Sequence, residues 1–372
     1  MDDYSKIVTL SANTSWYLYN FRQSTIKRLI KKGYRVVCIS PLDEYSHELK
    51  SLGCEYYDLE MQNKGTNPFR DIKTFLKLLF FYLKLKPFAA FHFTIKNNIY
   101  GTLAAFLSRT PAINNVSGLG TTFIRKNFIS KVVVLLYKIS QPLSYKVYCQ
   151  NEDDFQLLIN NKLVSKNKLF ILPGSGVDIK RFNPNIIDSR NNLYTFLFVG
   201  RILADKGIRE LIEAFKRLNN DQIICNLLIC GFINNDNVSS ISNNEIEEWK
   251  KIRGIKWCKP TNKVEKVMKK ADCVILPSYR EGMPRSLLEA GAMGLLSIAT
   301  DVPGCRNVIK DNVNGFLCKP NDVVSLEKSM KQIMNIPEEV RLKMSKNARK
   351  IVENSFDEEI VINEVLLTLD SL

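Results

Sequence analysis

A short apolar run that leads through a loop into a helical pattern constrains the fold of this chain most. Residues Cys273–Leu276 are continuously apolar, which is typical of a parallel strand buried on both faces of a sheet. A Pro-Ser-Tyr turn follows, and Arg285–Ala292 then predicts a helix with Pro284 as its first helical residue. This order of strand, loop and helix predicts an α/β fold with parallel sheets.

The loop before this helix predicts an anion site, because free amides and the helix dipole attract negative groups, phosphate above all. Glu289 lies about 7–8 Å beyond the helix start, at ~1.5 Å per residue. An elongated ligand could therefore present sugar hydroxyls to Glu281, a pyrophosphate to the loop amides and a ribose to Glu289. Each glutamate alone also has an ordinary explanation, as a partner of the helix dipole or of Arg285. The residues predicted to contact this ligand are Glu281, Gly282, Met283, Pro284 and Glu289.

The whole pattern resembles the donor-site motif of the retaining glycosyltransferases of family GT4. It consists of two glutamates eight residues apart, with Gly and Pro between them, after a strand that ends in Pro-Ser. This family has the GT-B fold, in which two Rossmann-like domains with parallel sheets face each other and a C-terminal helix crosses back to the first domain. The resemblance covers nearly the whole chain. It implies an acceptor-binding domain at 1–182, a linker at 183–192, a nucleotide-sugar-binding domain at 193–356 and a returning helix at 357–372.

Composition argues against several other classes. A length of 372 residues allows two or three domains, each with a full core. The nine cysteines stand as singles and there are only two histidines, so metal-site spacing is absent and reduced thiols are expected. The acidic run Glu152–Asp154 is better explained by an N-cap at Asn151 than by a metal. Because no signal peptide is apparent and no apolar run approaches the ~18 residues of a membrane span, we predict a cytoplasmic protein.

The positive charge is unevenly distributed along the chain. The net charge is +15, and residues 1–190 carry 27 Lys and Arg against 14 Asp and Glu, whereas residues 191–372 carry 26 against 24. A basic first half predicts that one domain faces an anionic partner. Nucleic acid is one such partner, but no helix-turn-helix, OB or RRM signature is visible. Lysine is also more frequent than arginine, whereas proteins that read base edges commonly use arginine. We therefore predict no nucleic-acid partner.

Two segments of the basic half, residues 69–87 and 124–146, are also apolar, and the second contains no acid. Each alone has the ordinary explanation of a packed helix with one solvated face. Together they indicate a surface that docks on the anionic inner leaflet of a membrane, where the protein would be peripheral. The basic residues concerned are Lys73, Lys77 and Lys84 in the first segment and Arg125, Lys126, Lys131, Lys138 and Lys146 in the second.

The chain opens with a βαβ pattern, a strand at 6–12, a helix at 21–32 and a strand at 35–40. This opening has no GxGxxG, and the missing glycines argue against a nicotinamide dehydrogenase. Its turn is Asn13-Thr14-Ser15-Trp16, and the segment TSWYLYNFR resembles one branch of family GT4, the bacterial transferases that build surface glycans. Further strands are predicted at 88–93, 113–116, 146–150, 194–199, 226–231, 254–258, 271–276, 296–300 and 316–318, and a last helix at 358–369.

His92 falls at the C-terminal end of a predicted strand, the end that faces the ligand crevice in doubly wound sheets. A lone histidine is more often a satisfied structural residue. The segment HFTIKNNIYG, however, matches the same branch of family GT4. The resemblance implies that His92 faces the donor sugar, and we predict that it is functional.

A second phosphate-binding pattern opens the second half of the chain. The strand predicted at 194–199 ends in Gly200, and Arg201 and Lys206 precede a helix predicted from Ile208. Glycine after a strand and two cations before a helix suit a diphosphate. The alternative is an ordinary solvated loop. The GR…KG pattern matches the phosphate-binding pair of family GT4, which favours the diphosphate.

The residues and the resemblance together predict a GT-B enzyme that moves a sugar from a nucleotide diphosphate donor with retention of anomeric configuration. Two cations, Arg201 and Lys206, and the helix N-terminus after Glu281 would neutralise the leaving diphosphate, so neither a metal nor a cofactor is expected. The catalytic residues are predicted to be His92, Glu281, Arg201 and Lys206, with Gly200 in the donor-binding set.

The nearest branch of the family implies a UDP-N-acetylhexosamine donor and a polyprenyl-diphosphate-linked glycan acceptor. The products of that branch are capsule, O-antigen or glycoprotein glycans. Two alternatives remain open. A GT-B epimerase of a UDP-sugar would have the same fold, although the paired glutamates and the His92 segment fit a transferase better. A basic binding protein without catalysis would keep its affinity for its partner after a change at Glu281.

Overall fold

The computed structural model describes residues 6–61, 67–118, 128–184, 193–221, 224–233 and 239–372. The chain divides into two compact units, one of Met1–Ser175 with Glu359–Leu372 and one of Gly176–Glu358. The last residues of the chain therefore belong to the first unit. Residues 185–192, which are most of the predicted linker, lie outside the described part, as do Arg125 and Lys126 of the second basic segment.

A parallel sheet forms the centre of the first unit. Its strands are β1 Ile7–Ser11, β2 Arg35–Ser40, β3 Glu55–Asp58, β4 Ala89–Phe93, β5 Ala112–Val116, β6 Lys146–Cys149 and β7 Leu169–Ile171. The seven strands are ordered β3-β2-β1-β4-β5-β6-β7. Strand order reverses between β1 and β4, where Ser11 pairs in register with His92. Ligands of doubly wound sheets bind at such a switch point, beyond the carboxyl ends of the strands.

Helices cover both faces of this sheet, and several begin at polar caps. They are α1 Ser15–Lys31, α2 Ser46–Ser51, α3 Pro68–Leu85, α4 Thr102–Leu107, α5 Phe128–Ser140 and α6 Glu152–Asn160, with a π-helical turn at Asn97–Gly101. The first helix begins at Ser15 rather than at the predicted Phe21, because the Thr14 hydroxyl accepts a hydrogen bond from the Tyr17 amide and caps it. The N-cap predicted at Asn151 is confirmed, since its side chain accepts from the Asp154 amide at 2.8 Å.

The second unit repeats the same architecture around a six-stranded sheet. Its strands are β8 Thr195–Val199, β9 Asn226–Cys230, β10 Ile255–Cys258, β11 Cys273–Leu276, β12 Leu296–Thr300 and β13 Gly315–Cys318. They are ordered β10-β9-β8-β11-β12-β13, with the switch point between β8 and β11. Its helices are α7 Ile208–Asn220, α8 Asn243–Lys250, α9 Val264–Met268, α10 Arg285–Ala292, α11 Cys305–Val308, α12 Val323–Met334 and α13 Glu338–Ser355. The predicted parallel α/β fold is confirmed.

The last helix, α14 Glu358–Asp370, belongs to the first unit apart from its first residue. Its buried residues Val361, Val365 and Leu369 join the apolar core on one face of the first sheet. This is the returning helix that the sequence predicts. The predicted domain boundary at 182 differs from the observed division, because Val177 and Phe182 pack in the core of the second unit.

Among the described helices, none combines the length and the apolar character needed to cross a bilayer.

Candidate functional site

The loop after β8 forms one side of the candidate site in the second unit. Gly200 extends the strand by donating its amide to the Cys230 carbonyl, and Arg201 beyond it is exposed. Within the described chain, Arg201 forms no ion pair, so its charge is open to a ligand. The loop ends at Gly207, where φ is 70° and a Cβ would lie 2.0 Å from the Pro277 carbonyl oxygen. Only glycine allows this loop to approach the end of β11 so closely.

Lys206 and Glu281, predicted separately from two motifs, are in direct contact. Lys206 Nζ lies 2.5 Å from Glu281 Oε1, and the two side chains are only 16% and 13% exposed. Ser278 Oγ donates a second hydrogen bond to the same Oε1 at 2.6 Å. Since both contacts use Oε1, Oε2 has no hydrogen-bond partner among the described residues. A pair this shielded from water interacts more strongly than an exposed one.

Backbone contacts fix the loop that carries Glu281. The Tyr279 amide donates to the Asp205 carbonyl at 3.0 Å, and the Glu281 amide donates to the Pro303 carbonyl at 3.3 Å. Below the loop, Gly304 has φ of 81°, and a Cβ there would lie 2.7 Å from the carbonyl oxygens of both Glu281 and Gly282. The loop is therefore held between the segments that follow β8 and β12.

The N-terminus of α10 has a proline as its N-cap residue. Pro284 is its N-cap residue, with no side-chain hydrogen bond, and the first turn contains no acid. The prediction that Pro284 is the first helical residue was wrong by one position, because its ψ of 106° is extended. Met283 before it is half-buried against the core of the unit. An N-terminus without competing acids suits an anion, as the sequence predicts.

Glu289 lies on the buried side of α10, with 7% of its surface exposed. Its Oε1 accepts from Arg285 Nε at 2.9 Å, which is the ordinary ion pair that the sequence also allowed. Burial raises the pKa of Glu289, and the positive charge of Arg285 only partly opposes this shift. The structure thus gives Glu289 an intramolecular partner, while its contact with a ribose stays a prediction.

His92 lies at the end of β4 and has protein partners at both ring nitrogens. Its side chain is fully buried in the first unit, with Nε2 at 2.9 Å from the Tyr82 hydroxyl and Nδ1 at 2.8 Å from Asn114 Oδ1. The amide of Asn114 donates to Gln141 Oε1, so its Oδ1 accepts from His92 Nδ1–H and His92 Nε2 accepts from Tyr82. Burial lowers the pKa of His92 to about 4. Both ring nitrogens therefore have protein partners, and the predicted contact of His92 with the donor sugar stays a prediction.

The structure brings most of the predicted donor-site residues together at one edge of the second sheet. Lys206 and Glu281 touch, Arg201 precedes the same turn, and the N-terminus of α10 follows Glu281. Sequence reasoning missed Ser278, although the Pro-Ser end of β11 was part of the motif. In the described part of the chain, no three His, Cys, Asp or Glu residues lie close enough to hold a metal ion. The prediction that the enzyme needs no metal stays a prediction.

Comparison with solved structures identifies the fold. A glycosyltransferase from Rickettsia africae ESF-5 matches with a TM-score of 0.81 and 18% identity, over 99% of this chain and 98% of that one. Anabaena Alr3699/HepE in complex with UDP-glucose matches with a TM-score of 0.80 and 16% identity, over 98% of this chain and 100% of that one. At such low identity the match concerns the fold, and the fold is that of the GT-B glycosyltransferases.

Family models identify both units. A model described as Glycosyl transferase 4-like matches residues 6–151, and one described as Glycosyl transferases group 1 matches residues 179–351. The chain belongs to the glycosyltransferases that combine these two domains.

Two curated relatives match over most of their length. One is the N,N'-diacetylbacillosaminyl-diphospho-undecaprenol alpha-1,3-N-acetylgalactosaminyltransferase of Campylobacter jejuni subsp. jejuni serotype O:2, 27% identical over 369 residues and 95% of each chain. The other is the capsular polysaccharide biosynthesis glycosyltransferase CapM of Staphylococcus aureus, 26% identical over 329 residues and 86% of each chain.

Proposed function

We propose that this glycosyltransferase moves a sugar from a UDP-sugar donor to a glycan carried on a polyprenyl diphosphate, with retention of anomeric configuration. The observation that carries the proposal is the Lys206–Glu281 contact directly before the N-terminus of α10. This arrangement offers a cation and the N-terminus of a helix to a diphosphate, and a carboxylate to the attached sugar. The name of the relative from Campylobacter jejuni supports an undecaprenol-linked acceptor, and the name of the relative from Staphylococcus aureus supports a role in capsular polysaccharide synthesis.

The proposed reaction breaks the bond between the sugar and the diphosphate, and the diphosphate is the leaving group. As the bond between the anomeric carbon and the diphosphate oxygen breaks, negative charge grows on the diphosphate. Lys206, Arg201 and the amides of α10 would stabilise that charge at fixed positions. The acceptor hydroxyl would attack on the face that the diphosphate leaves, and its proton would pass to the departing phosphate oxygen. Fixed cations of this kind supply the role that a divalent metal has in other transferases, and no cofactor is needed.

An N-acetylhexosamine such as GalNAc or GlcNAc is the proposed sugar. The support is the relative from Campylobacter jejuni, whose name specifies N-acetylgalactosamine transfer to an undecaprenol-linked acceptor. A second relative, from Escherichia coli, is named as a UDP-galactose transferase onto a GlcNAc diphosphoundecaprenol and is 24% identical over 301 residues. Both names combine a sugar donor with a lipid diphosphate acceptor, which favours that acceptor class.

The proposal is tested by mass spectrometry of products from a panel of UDP-sugars and polyprenyl-diphosphate-linked acceptors, run in EDTA. The expected result is one donor that adds a single sugar mass to the acceptor, with turnover unaffected by the chelator. Epimerised donor without any sugar transfer would support the epimerase instead. Full loss of activity in EDTA, restored by Mg²⁺ or Mn²⁺, would contradict the account based on fixed cations.

We also propose that the first unit docks on the anionic inner leaflet of a membrane, where such an acceptor would be presented. In α3, exposed apolar side chains recur every three to four residues and form one stripe: Phe69, Ile72, Leu76, Phe80 and Leu83. A second exposed stripe lies on α5: Ile129, Val132, Leu135 and Ile139. Both helices contact the π-helical turn Asn97–Gly101, so the two stripes belong to the same part of the unit. Apolar stripes beside lysines are typical of interfacial helices.

The lysines contribute unequally to this surface. Lys73 pairs with Glu60 at 2.7 Å, and Lys77 lies 3.9 Å from Asp58, so acids partly neutralise both. Lys146 pairs with Glu364 of α14 and thus serves the attachment of that helix. The apolar stripe of α3 is therefore proposed to carry more of the docking energy than the lysines do.

A further inference from the structure

We propose that Ser278 is a positioning residue for sugar transfer, whose hydroxyl holds Glu281 Oε1 so that Oε2 can accept a hydroxyl of the donor sugar. This inference rests on the proposed function, because it concerns the carboxylate assigned to the sugar. Ser278 touches neither donor nor acceptor in this account and acts through Glu281.

Ser278 is itself rigidly placed. It follows β11 after one proline and is fully buried. The Thr300 hydroxyl, at the end of β12, donates to the Ser278 carbonyl. Its Oγ lies 2.6 Å from Glu281 Oε1, the length of a strong hydrogen bond from a hydroxyl to a carboxylate. Two neighbouring strands therefore determine where this hydroxyl, and with it one oxygen of Glu281, is held.

Lys206, the second partner of Glu281 Oε1, is expected to move to the diphosphate when the donor binds. Lys206 Nζ contacts Oε1 at 2.5 Å, but Lys206 is also the cation assigned to the diphosphate. A bound diphosphate, with two negative groups, competes with a single carboxylate for this ammonium. The Ser278 hydroxyl is buried, and its other acceptor among the described residues, the Asp205 carbonyl oxygen, is much further away at 3.5 Å than Glu281 Oε1 at 2.6 Å. It is the contact that remains on Glu281 while the donor is bound.

Glu281 Oε2 is the oxygen that would accept a hydrogen bond from the donor sugar. With Oε1 held by Ser278, the carboxylate plane has few orientations, and Oε2 is presented without a competing hydrogen bond from the described residues. A sugar hydroxyl donated to Oε2 would then hold the anomeric carbon at one place relative to the acceptor. Misplacement of a reacting group by about 1 Å can lower a rate on the order of a hundredfold.

The test combines Ser278→Ala, Glu281→Ala and the double variant in the full chain. Turnover is measured with the UDP-sugar that the wild type uses, and affinities for UDP and for that UDP-sugar are measured by calorimetry. Ser278→Ala is expected to lower turnover about ten- to a hundredfold and to weaken UDP-sugar binding, with UDP affinity within about twofold of wild type. In the Glu281→Ala background the same change should alter turnover by less than about twofold, because no carboxylate remains to be positioned.

Two controls separate positioning from packing. Ser297→Ala removes an equally buried serine hydroxyl from β12 of the same sheet and should leave turnover and both affinities unchanged. Circular dichroism and the thermal unfolding midpoint verify, independently of ligand binding, that Ser278→Ala is folded. If it does not fold, Ser278→Cys replaces it, since a thiol fills similar space but is a weak donor.

The outcomes are distinct. An equal loss of turnover from Ser278→Ala with and without Glu281, or an equal loss of affinity for UDP and UDP-sugar, overturns the role of Ser278. If the wild type transfers sugar and Ser278→Ala behaves like wild type, only the role of Ser278 fails. If the wild type neither binds any UDP-sugar nor transfers sugar, the proposed function fails and the role of Ser278 fails with it.

Discussion

At the scale of single residues, Glu281 and Glu289 have opposite surroundings although one motif contains both. Glu281 contacts a lysine and a serine through one oxygen, and its other oxygen has no hydrogen-bond partner in the part of the chain that the structure describes. Glu289 is buried and paired with Arg285 on its own helix. If the donor spans α10, Glu281 meets the sugar end and Glu289 the ribose end. The two residues should therefore affect different stages of catalysis.

Replacement of each glutamate by glutamine tests this assignment. Glu281→Gln should reduce turnover on the order of a hundredfold while UDP affinity stays near that of wild type, because UDP lacks the sugar. Glu289→Gln should weaken UDP and UDP-sugar alike, by about 1.5–3 kcal/mol, the contribution of a hydrogen bond to a charged group. The measurements are calorimetry with UDP and steady-state turnover. An equal loss of UDP affinity in both variants would mean that the two ends of the donor are assigned wrongly.

His92 illustrates a limit of sequence reasoning at this scale. Its place at the end of β4 was predicted correctly, but the sequence does not reveal that Tyr82 and Asn114 would occupy both ring nitrogens. Those partners come from α3 and β5, and only the packing of the sheet brings them to His92. The same limit explains why Ser278 was missed, since its hydrogen bond depends on the loop conformation around Glu281.

The buried neutral His92 should make the stability of the first unit depend on pH. The pKa falls from about 6.5 in the unfolded chain to about 4 in the folded one, because burial disfavours the charged form. The unfolded chain thus binds the extra proton first, so this contribution is complete above pH 6.5 and is lost as pH falls towards 4. The free energy of unfolding should decline by about 3 kcal/mol over that range from this residue.

Denaturant unfolding of the wild type and of His92→Gln at several pH values isolates this effect. Carboxylates titrate in part of the same range in both proteins, so only the difference between the two pH profiles is informative. The wild type should lose more stability than the variant between pH 6.5 and pH 4. Parallel profiles would contradict the assignment of a neutral, doubly hydrogen-bonded His92.

At the scale of elements, apolar runs predicted the strands well because buried parallel strands tolerate few polar residues. The edge strand β3 was missed, since its sequence Glu-Tyr-Tyr-Asp is short, polar and partly exposed. Helix starts were less accurate. The start of α1 depended on the Thr14 cap, and the single-residue error at Pro284 depended on one backbone angle.

The exposed apolar stripe of α3 is predicted to contribute to membrane binding. Binding of the protein to anionic vesicles should weaken in the variant Leu76→Ser with Phe80→Ser at every salt concentration, because burial of such side chains contributes about 1.5–3 kcal/mol each. Neutralisation of Lys73, Lys77 and Lys84 should weaken binding at low salt only, by at most about 1 kcal/mol for each lysine.

Vesicle co-sedimentation over a salt series measures both effects. The matched control is Val324→Ser, which removes an exposed apolar side chain from α12 of the second unit. A wild type that does not bind anionic vesicles at low salt would contradict docking. A control that weakens binding as much as the α3 variant would show that the α3 stripe is not the docking surface.

At the scale of the whole molecule, the order of motifs along the chain was enough to predict the architecture. The two Rossmann-like units and the returning α14 follow from alternating strands and helices together with the resemblance to a known family. The boundary between units could not be predicted in the same way. Residues 176–182 lack any sequence feature that assigns them, and they join the second unit because Val177 and Phe182 complete its core.

The anomeric configuration of the product tests the central claim, retaining transfer from a UDP-sugar, most directly. The donor is the α-linked UDP-sugar that the wild type uses, and the product linkage is assigned from the coupling between the first two ring protons by NMR. The account predicts an α-linked product, because the acceptor attacks on the face that the diphosphate leaves. A β-linked product, or donor bound at saturation without any product from polyprenyl-diphosphate-linked acceptors, would contradict it.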